Sequence, residues 1–226
     1  MERSKQNFLD FLSGNGSLPV IFEPFLSFTH AETLIWRRGK HLWDTPHSYI
    51  DTLAYLTERT QADMIFPDLR RYDSAGKTAL LDEITRFSKN TSLGIGIICD
   101  SDDIEMCENT PGIDCLCVYG NGKSERFPVI RMDGSAEDAV LRGDSAWFCR
   151  DHAEDYLDTY RGKLLILGGL GLDTLVGGSP VGIYDRVEKI WQTYGSGWAC
   201  GSGGTVPDEN YLELISLLGA FARIRG

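Results

Sequence analysis

The sequence has no unbroken apolar run near the roughly 18 residues at which a segment becomes a candidate membrane span, so no spanning helix is expected. It lacks clustered cations as well. Its 33 acidic residues outweigh 22 basic ones and leave a net charge of −11, whereas a phosphate backbone rewards grouped Lys and Arg. A nucleic-acid partner is therefore excluded as an expectation. The opening residues, MERSKQNFLDFLSG, are charged and amphipathic and lack the apolar centre of a secretion signal. The six cysteines fall at irregular spacings that match neither a disulfide framework nor a zinc motif. They read as reduced thiols of a cytoplasmic protein. No linker, low-complexity tract or charge block divides the chain, and residues 1–226 are read as one domain with a core of ordinary size.

Short apolar runs recur along the chain with helix-period segments between them. The richest stretch is LLILGGLGLDTLVGGSPVGIYDRVEKIWQTYGSGWACGSGGTVPDEN, from Leu164 to Asn210. An apolar strand there enters a glycine loop, a helix comes next, and a second strand (Trp198 to Cys200) enters another glycine loop. A final helix is expected from Pro207-Asp208-Glu209. Further strands are expected at Pro19 to Glu23, Ala62 to Phe66, Leu93 to Cys99, Asp114 to Tyr119, Phe127 to Met132 and Ala146 to Cys149, which makes eight. Helices are expected near Lys5 to Leu12, over His47 to Arg59 and over Lys77 to Lys89. Eight βα units of about 28 residues each suit a compact (β/α)8 barrel. A doubly wound open sheet has the same local pattern. Between Tyr119 and Phe127 only GNGKSER is available, too short for a normal parallel crossover, so that unit is either degenerate or a hairpin.

Parallel barrels build their sites where strands end, and the residues at those ends are therefore the candidates. Asp68 ends the second strand in FPDL. Arg131 and Asp133 flank Met132 and share one face of their strand. Asp151 and His152 come just after the strand Ala146 to Cys149, His152 being a candidate general base because its ordinary pKa lies near neutrality. Cys99, Cys149 and Cys200 fall near strand ends, where thiolates from separate strands make a conceivable zinc site; buried packing is the simpler reading. Cys115 and Cys117 share one strand face. Gly169 and Gly203 either let a ligand approach backbone amides or turn the chain tightly. His30, Trp36, His41 and Trp43, with Phe25 and Phe28, make the segment after the first strand aromatic, which suits a lid, a packed cover or a homodimer contact.

The residues at both ends resemble the uroporphyrinogen decarboxylase superfamily, which includes corrinoid-linked methyltransferases. RSKQNFLDFLSGNGSLPVIF, QADMIFPDL, GGLGLDTLVGGSPVGIYDRVEKI and WACGSGGTVPDEN carry the likeness, over roughly residues 3–69 and 127–226. The resemblance implies a (β/α)8 barrel with an active site at its C-terminal mouth, taking a tetrapyrrole-like ligand or a small methylated substrate by decarboxylation or methyl transfer. A corrinoid carrier protein is the implied partner of methyl transfer. Family position for Asp68 and Asp151, and strand-end position for Arg131 and Asp133, make these four the catalytic candidates; Glu23, His152, Gly169, Ser202 and Gly203 are the substrate-binding ones. The chain departs from the family pattern at four points. Glu23-Pro24-Phe25 stands where the decarboxylases have two arginines, and Ser202 or Gly203 where they have a histidine. Arg131 and Asp133 stand where zinc-dependent methyltransferases have His-x-Cys, and Gly203 or Gly204 replaces their loop cysteine. No cofactor is assigned with certainty and zinc is the one candidate. A ligand-binding or regulatory relative without catalysis is the alternative.

Overall fold

The structure is a computed structural model that describes residues 2–16, 18–24, 45–60 and 62–204. Eight strands appear in it, each at an expected place: β1 (Val20–Ile21), β2 (Met64–Ile65), β3 (Gly94–Asp100), β4 (Cys115–Tyr119), β5 (Val129–Arg131), β6 (Ala146–Cys149), β7 (Leu165–Leu170) and β8 (Trp198–Ser202). All ladders are parallel, and the order is β1-β8-β7-β6-β5-β4-β3-β2. This is the (β/α)8 barrel pattern; β4 and β5 are parallel neighbours and not a hairpin. The helices are α1 (Glu2–Leu12), α2 (Pro46–Thr60), α3 (Ser74–Ser88), α4 (Ile104–Glu108), α5 (Ala136–Arg142), α6 (Glu154–Tyr160), α7 (Leu172–Gly177) and α8 (Pro180–Tyr194). The expected final helix and the aromatic segment containing His30, Trp36, His41 and Trp43 lie outside the described residues.

Strand side chains alternate between two faces, and here both faces are apolar. The inward set includes Phe22, Met64, Phe66, Ile98, Cys115, Cys117, Ile130, Met132 and Phe148. The outward set includes Ile21, Ile65, Ile97, Leu116, Trp147, Ile166 and Trp198, and packs beneath the helices. Phe8, Phe22 and Phe148 are 0–1% exposed and Phe66 3%, each burial worth roughly 1.5–3 kcal/mol. Such bulk needs small neighbours. A Cβ on Gly96 would stand 2.5 Å from the Phe66 ring, and one on Gly94 would stand 2.7 Å from Met64. Cys115 and Cys117 serve the same packing as small apolar residues.

The two edges of the sheet meet between β1 and β2 without a backbone ladder among the described residues. Side chains join them. The Ile21 N–H donates to the buried Asp63 carboxylate at 2.8 Å, and the Phe22 and Phe66 rings meet edge to face at 4.9 Å. α1 covers the N-terminal end of the same seam. Its Phe8 packs on Phe22 and Phe66, its Asn7 amide donates to Pro19 O at 3.1 Å, and its Lys5 pairs with Asp114 at 2.7 Å.

The β4–β5 connection has no helix, and a charged assembly takes the place of one. Glu108 at the end of α4 accepts from the Ser124 hydroxyl and from the Glu125 N–H. On the other side Arg131, from the outward face of β5, donates to Gly120 O and Gly122 O and forks onto Asp144 at 2.9 Å. That face would otherwise be roofed by a helix.

Replacing Asp63 with Ala should lower unfolding free energy by about 2–3 kcal/mol, because the Ile21 N–H is left buried without its charged acceptor. A urea titration monitored by circular dichroism measures it. A loss under about 0.5 kcal/mol would show that the seam does not need this bond.

Candidate active site at the C-terminal mouth

Asp68 continues the inward register of Met64 and Phe66 and stands at the mouth. Its N–H donates to the buried Tyr49 hydroxyl of α2 at 3.0 Å, and it bridges to Ile98 of β3. Both carboxylate oxygens are occupied. They accept from the Arg70 N–H at 3.0 Å and from Arg70 Nε and Nη2 at 2.9 Å, and Arg71 stands 3.8 Å away. The Arg70 guanidinium lies 3.9 Å over the Tyr119 ring, and its Asp68 hydrogen bonds raise its pKa further. Asp68 thus caps the 3-10 turn Leu69–Arg71 and positions Arg70. Arginines are lacking just after the first strand, and Arg70 and Arg71 after the second are not among the sequence candidates. The DLRR run that ends the second strand is the signal that could have found them.

Asp133 and Asp151 come together. After β5 and β6 a cavity of about 430 Å³ opens at the strand ends, and both line it. Met132 and Phe148 of the inward layer form its floor, and Trp147, Tyr156 and Tyr160 form an aromatic side. Asp133 Oδ2 accepts the Gly120 N–H at 2.8 Å. Among the described residues the Asp151 carboxylate has no ion pair or side-chain hydrogen bond.

Arg131 does not join them. It alternates with the inward Ile130 and Met132, so the face it shares with Asp133 points away from the barrel axis. It is fully buried and its partner is Asp144, not Asp133. The expected rim of Asp68, Arg131, Asp133 and Asp151 is therefore corrected. Asp133 and Asp151 line one cavity, Asp68 stands over β2–β4 with Arg70, and Arg131 is a structural ion pair.

The candidates around the glycine loops serve the chain itself. Ser202 Oγ donates to the Glu23 carboxylate at 2.9 Å, both residues being buried. A Cβ on Gly203 would collide with the Arg150 carbonyl, and one on Gly169 (φ +80°) would collide with Ala153. These glycines seat residues 150–153 across the ends of β7 and β8. His152, within that loop, has its Nδ1 2.8 Å from Arg186 Nη2. An arginine cannot accept, so Nδ1 is the acceptor and the proton sits on Nε2, 3.4 Å from Asp173. Arg186 also forks onto Glu154. The nitrogen a general base would use is thus already occupied.

Zinc does not fit the described residues. Cys99, Cys149 and Cys200 all belong to the outward layer beneath the helices, so the proposed gathering of thiols is corrected by strand parity. Among the described residues no group of three or more His, Cys, Asp or Glu could hold a metal ion. Burial pushes the Cys149 thiol up to about 12 and Cys117 well above its ordinary value, so both stay protonated as packing residues. A second cavity, of about 480 Å³, opens at the opposite end among Leu12, Ser145, Arg161 and Tyr194, on the face that serves stability in such barrels.

A solved structure of a methyltransferase from Methanosarcina mazei is similar over 96% of this chain and 98% of its own, with a TM-score of 0.66 and 10% identity. At that identity the likeness is one of fold. A monomeric form of the dimeric phosphoribosylantranilate isomerase from Thermotoga maritima matches 75% of this chain and 92% of its own at TM-score 0.47 and 15% identity. No protein-family model and no curated protein sequence matches the chain. No helix among the described residues is long and apolar enough to cross a membrane.

Arg131→Met should destabilise the protein by about 3–5 kcal/mol, since Asp144 is left as an unpaired buried charge. Denaturant unfolding measures it, and an unchanged midpoint with altered ligand binding would return Arg131 to the mouth. A thiol reagent should leave all six cysteines of the native protein untouched, since each is buried, while the urea-unfolded chain reacts fully. Rapid native labelling of Cys99, Cys149 or Cys200 would contradict their placement.

Proposed function

We propose that this protein is a methyl-transfer enzyme of the (β/α)8 class that takes a small methylated substrate at the C-terminal mouth. The observation that carries the reading is the cavity at the strand ends lined by Asp133 and Asp151 together with Met132 and Phe148. A volume of about 430 Å³ is within the range of small-molecule sites. The fold likeness to a methyltransferase structure supports the same reading.

Charge favours this chemistry over decarboxylation of a tetrapyrrole. Three carboxylates (Asp133, Glu137 and Asp151) line the cavity against one guanidinium, Arg150. A substrate bearing several carboxylates would meet like charge there. Glu23, standing where the decarboxylases have arginine, is held by Ser202. In the proposed reaction the methyl–heteroatom bond breaks and its electron pair stays on the heteroatom. The methyl group passes to a nucleophile, and a corrinoid on a partner protein supplies it when docked. The protein's own residues bind and orient the donor and keep bulk water from the floor of the cavity. An onium donor leaves as a neutral amine or sulfide and asks no proton of His152, which agrees with the engagement of that side chain by Arg186; a neutral donor's leaving group takes its proton from solvent.

The test is a transfer assay with cob(I)alamin standing in for the carrier and methylated amines, thioethers and ethers offered as donors, read by the absorbance of methylated cobalamin. Turnover is expected with at least one donor class, and Asp133→Asn should lower kcat/KM by roughly tenfold or more, about 1.4 kcal/mol. Binding of a donor without any transfer would instead favour a ligand-binding relative, a reading that the occupied Asp68 and His152 also suit.

A further inference from the structure

We infer that the cavity between the ends of β5 and β6 recognises an organic cation, a quaternary ammonium or sulfonium group, through the faces and edges of Trp147, Tyr156 and Tyr160 and the field of Asp133 and Asp151. The role of that cation as methyl donor rests on the methyl-transfer reading above; its binding does not.

Three features exclude the other ligand classes in turn. The aromatic wall is held in place: Trp147 and Tyr156 meet at 4.9 Å with their planes at 61°. The indole N–H is spent on Gly134 O at 3.3 Å, so the Trp147 ring offers π surface and no donor. An anion would therefore find neither a ring N–H nor a balance of positive charge, since one arginine faces three carboxylates. A neutral ligand could donate a hydrogen bond to these carboxylates, but it would bring no charge for the ring faces and the acids to attract together. A small hard metal ion needs several oxygens converging on one point, and these carboxylates do not form such a group. The class left is a large, weakly hydrated cation without N–H donors. Ring quadrupoles attract such a cation without directional hydrogen bonds, and carboxylates at a distance suffice for its charge. Asp133 keeps one oxygen clear of Gly120, and Asp151 is exposed at the rim. Burial raises the Tyr156 phenol's pKa, which keeps that ring neutral.

The experiment is calorimetric titration of the full chain with choline and, separately, with its uncharged isostere 3,3-dimethylbutan-1-ol. Choline should bind about tenfold tighter or better, as expected for partly desolvated cation–π contact with nearby carboxylates. Asp151→Asn and Tyr156→Leu should each weaken choline severalfold and leave the isostere unchanged, with thermal unfolding confirming that each variant is folded. Equal affinity for the two ligands, or no choline binding up to about 10 mM, above the usual micromolar-to-millimolar range of substrates, overturns the inference. The outcomes separate the two claims. Selective choline binding with no methyl transfer from any onium donor sinks the catalytic reading and keeps the site. Transfer from neutral ethers or thioethers without cation selectivity sinks the site and keeps the catalytic reading.

Discussion

The barrel closes at β1 and β2 through side chains, and the rest of the architecture depends on that closure. Each of these strands contributes only two ladder residues, so neither carries much pairing energy. The buried Asp63 carboxylate supplies the acceptor that a backbone carbonyl would otherwise give to Ile21. The same device recurs at β4, where Asp114 accepts the Ile95 N–H of β3 at 2.9 Å from the position just before its strand. In both places an acid preceding an even-numbered strand holds the odd-numbered strand before it. Asp114 also pairs with Lys5, so α1, the seam and β4 form one linked base. If the seam opened, Phe22 and Phe66 would be exposed together, and the inward layer would lose its largest aromatic contacts.

With the ring closed, the loops after each strand shape the mouth, and the strand ends are used unequally. Residues 150–153 fill the ends of β7 and β8, seated on Gly169 and Gly203. Asp68 and Arg70 occupy the ends of β2 to β4 as a closed ion pair stacked on Tyr119. The ends of β5 and β6 keep a cavity with carboxylates not already matched to cations. Buried acids elsewhere in this chain are partnered: Asp144 with Arg131, Asp103 with Lys77, Glu23 with Ser202. An acid at a strand end without such a partner is the more informative one.

The fold was legible because its determinants are periodic. All eight strands could be read from apolar runs, and even the helix-poor unit after Tyr119 was visible from its length. The direction of each face was not legible. Arg131 and Asp133 do share a face, as their spacing requires, but spacing of two cannot say whether that face looks inward or outward when both sides of a strand are apolar. Cys99, Cys149 and Cys200 do lie near strand ends and are buried, but for the same reason the sequence could not say which face they occupy. Arg131 carried a further clue. A strand entered through a connection too short for a helix has an outer face without a roof, and a long cation with a matching acid is one way to cover it. His152 depended on Arg186, 34 residues away, and no local pattern announces such a pairing.

The site's chemistry turns on which charges are left over, and a net charge of −11 does not answer that by itself. Many surface acids face water and contribute little to recognition, because solvent screens them. Asp133 differs because it is half-buried and shares its cavity with Met132, Phe148 and the aromatic rings, with Asp151 at the exposed rim. Low local dielectric strengthens its field toward a guest and raises the penalty on an anionic one. Arg150 does not cancel this. Its carbonyl is fixed against Gly203, while its side chain is exposed and can swing to solvent as a ligand enters. A cationic guest would thus be met by fixed rings and by the Asp133 carboxylate held on Gly120, and opposed by one movable charge.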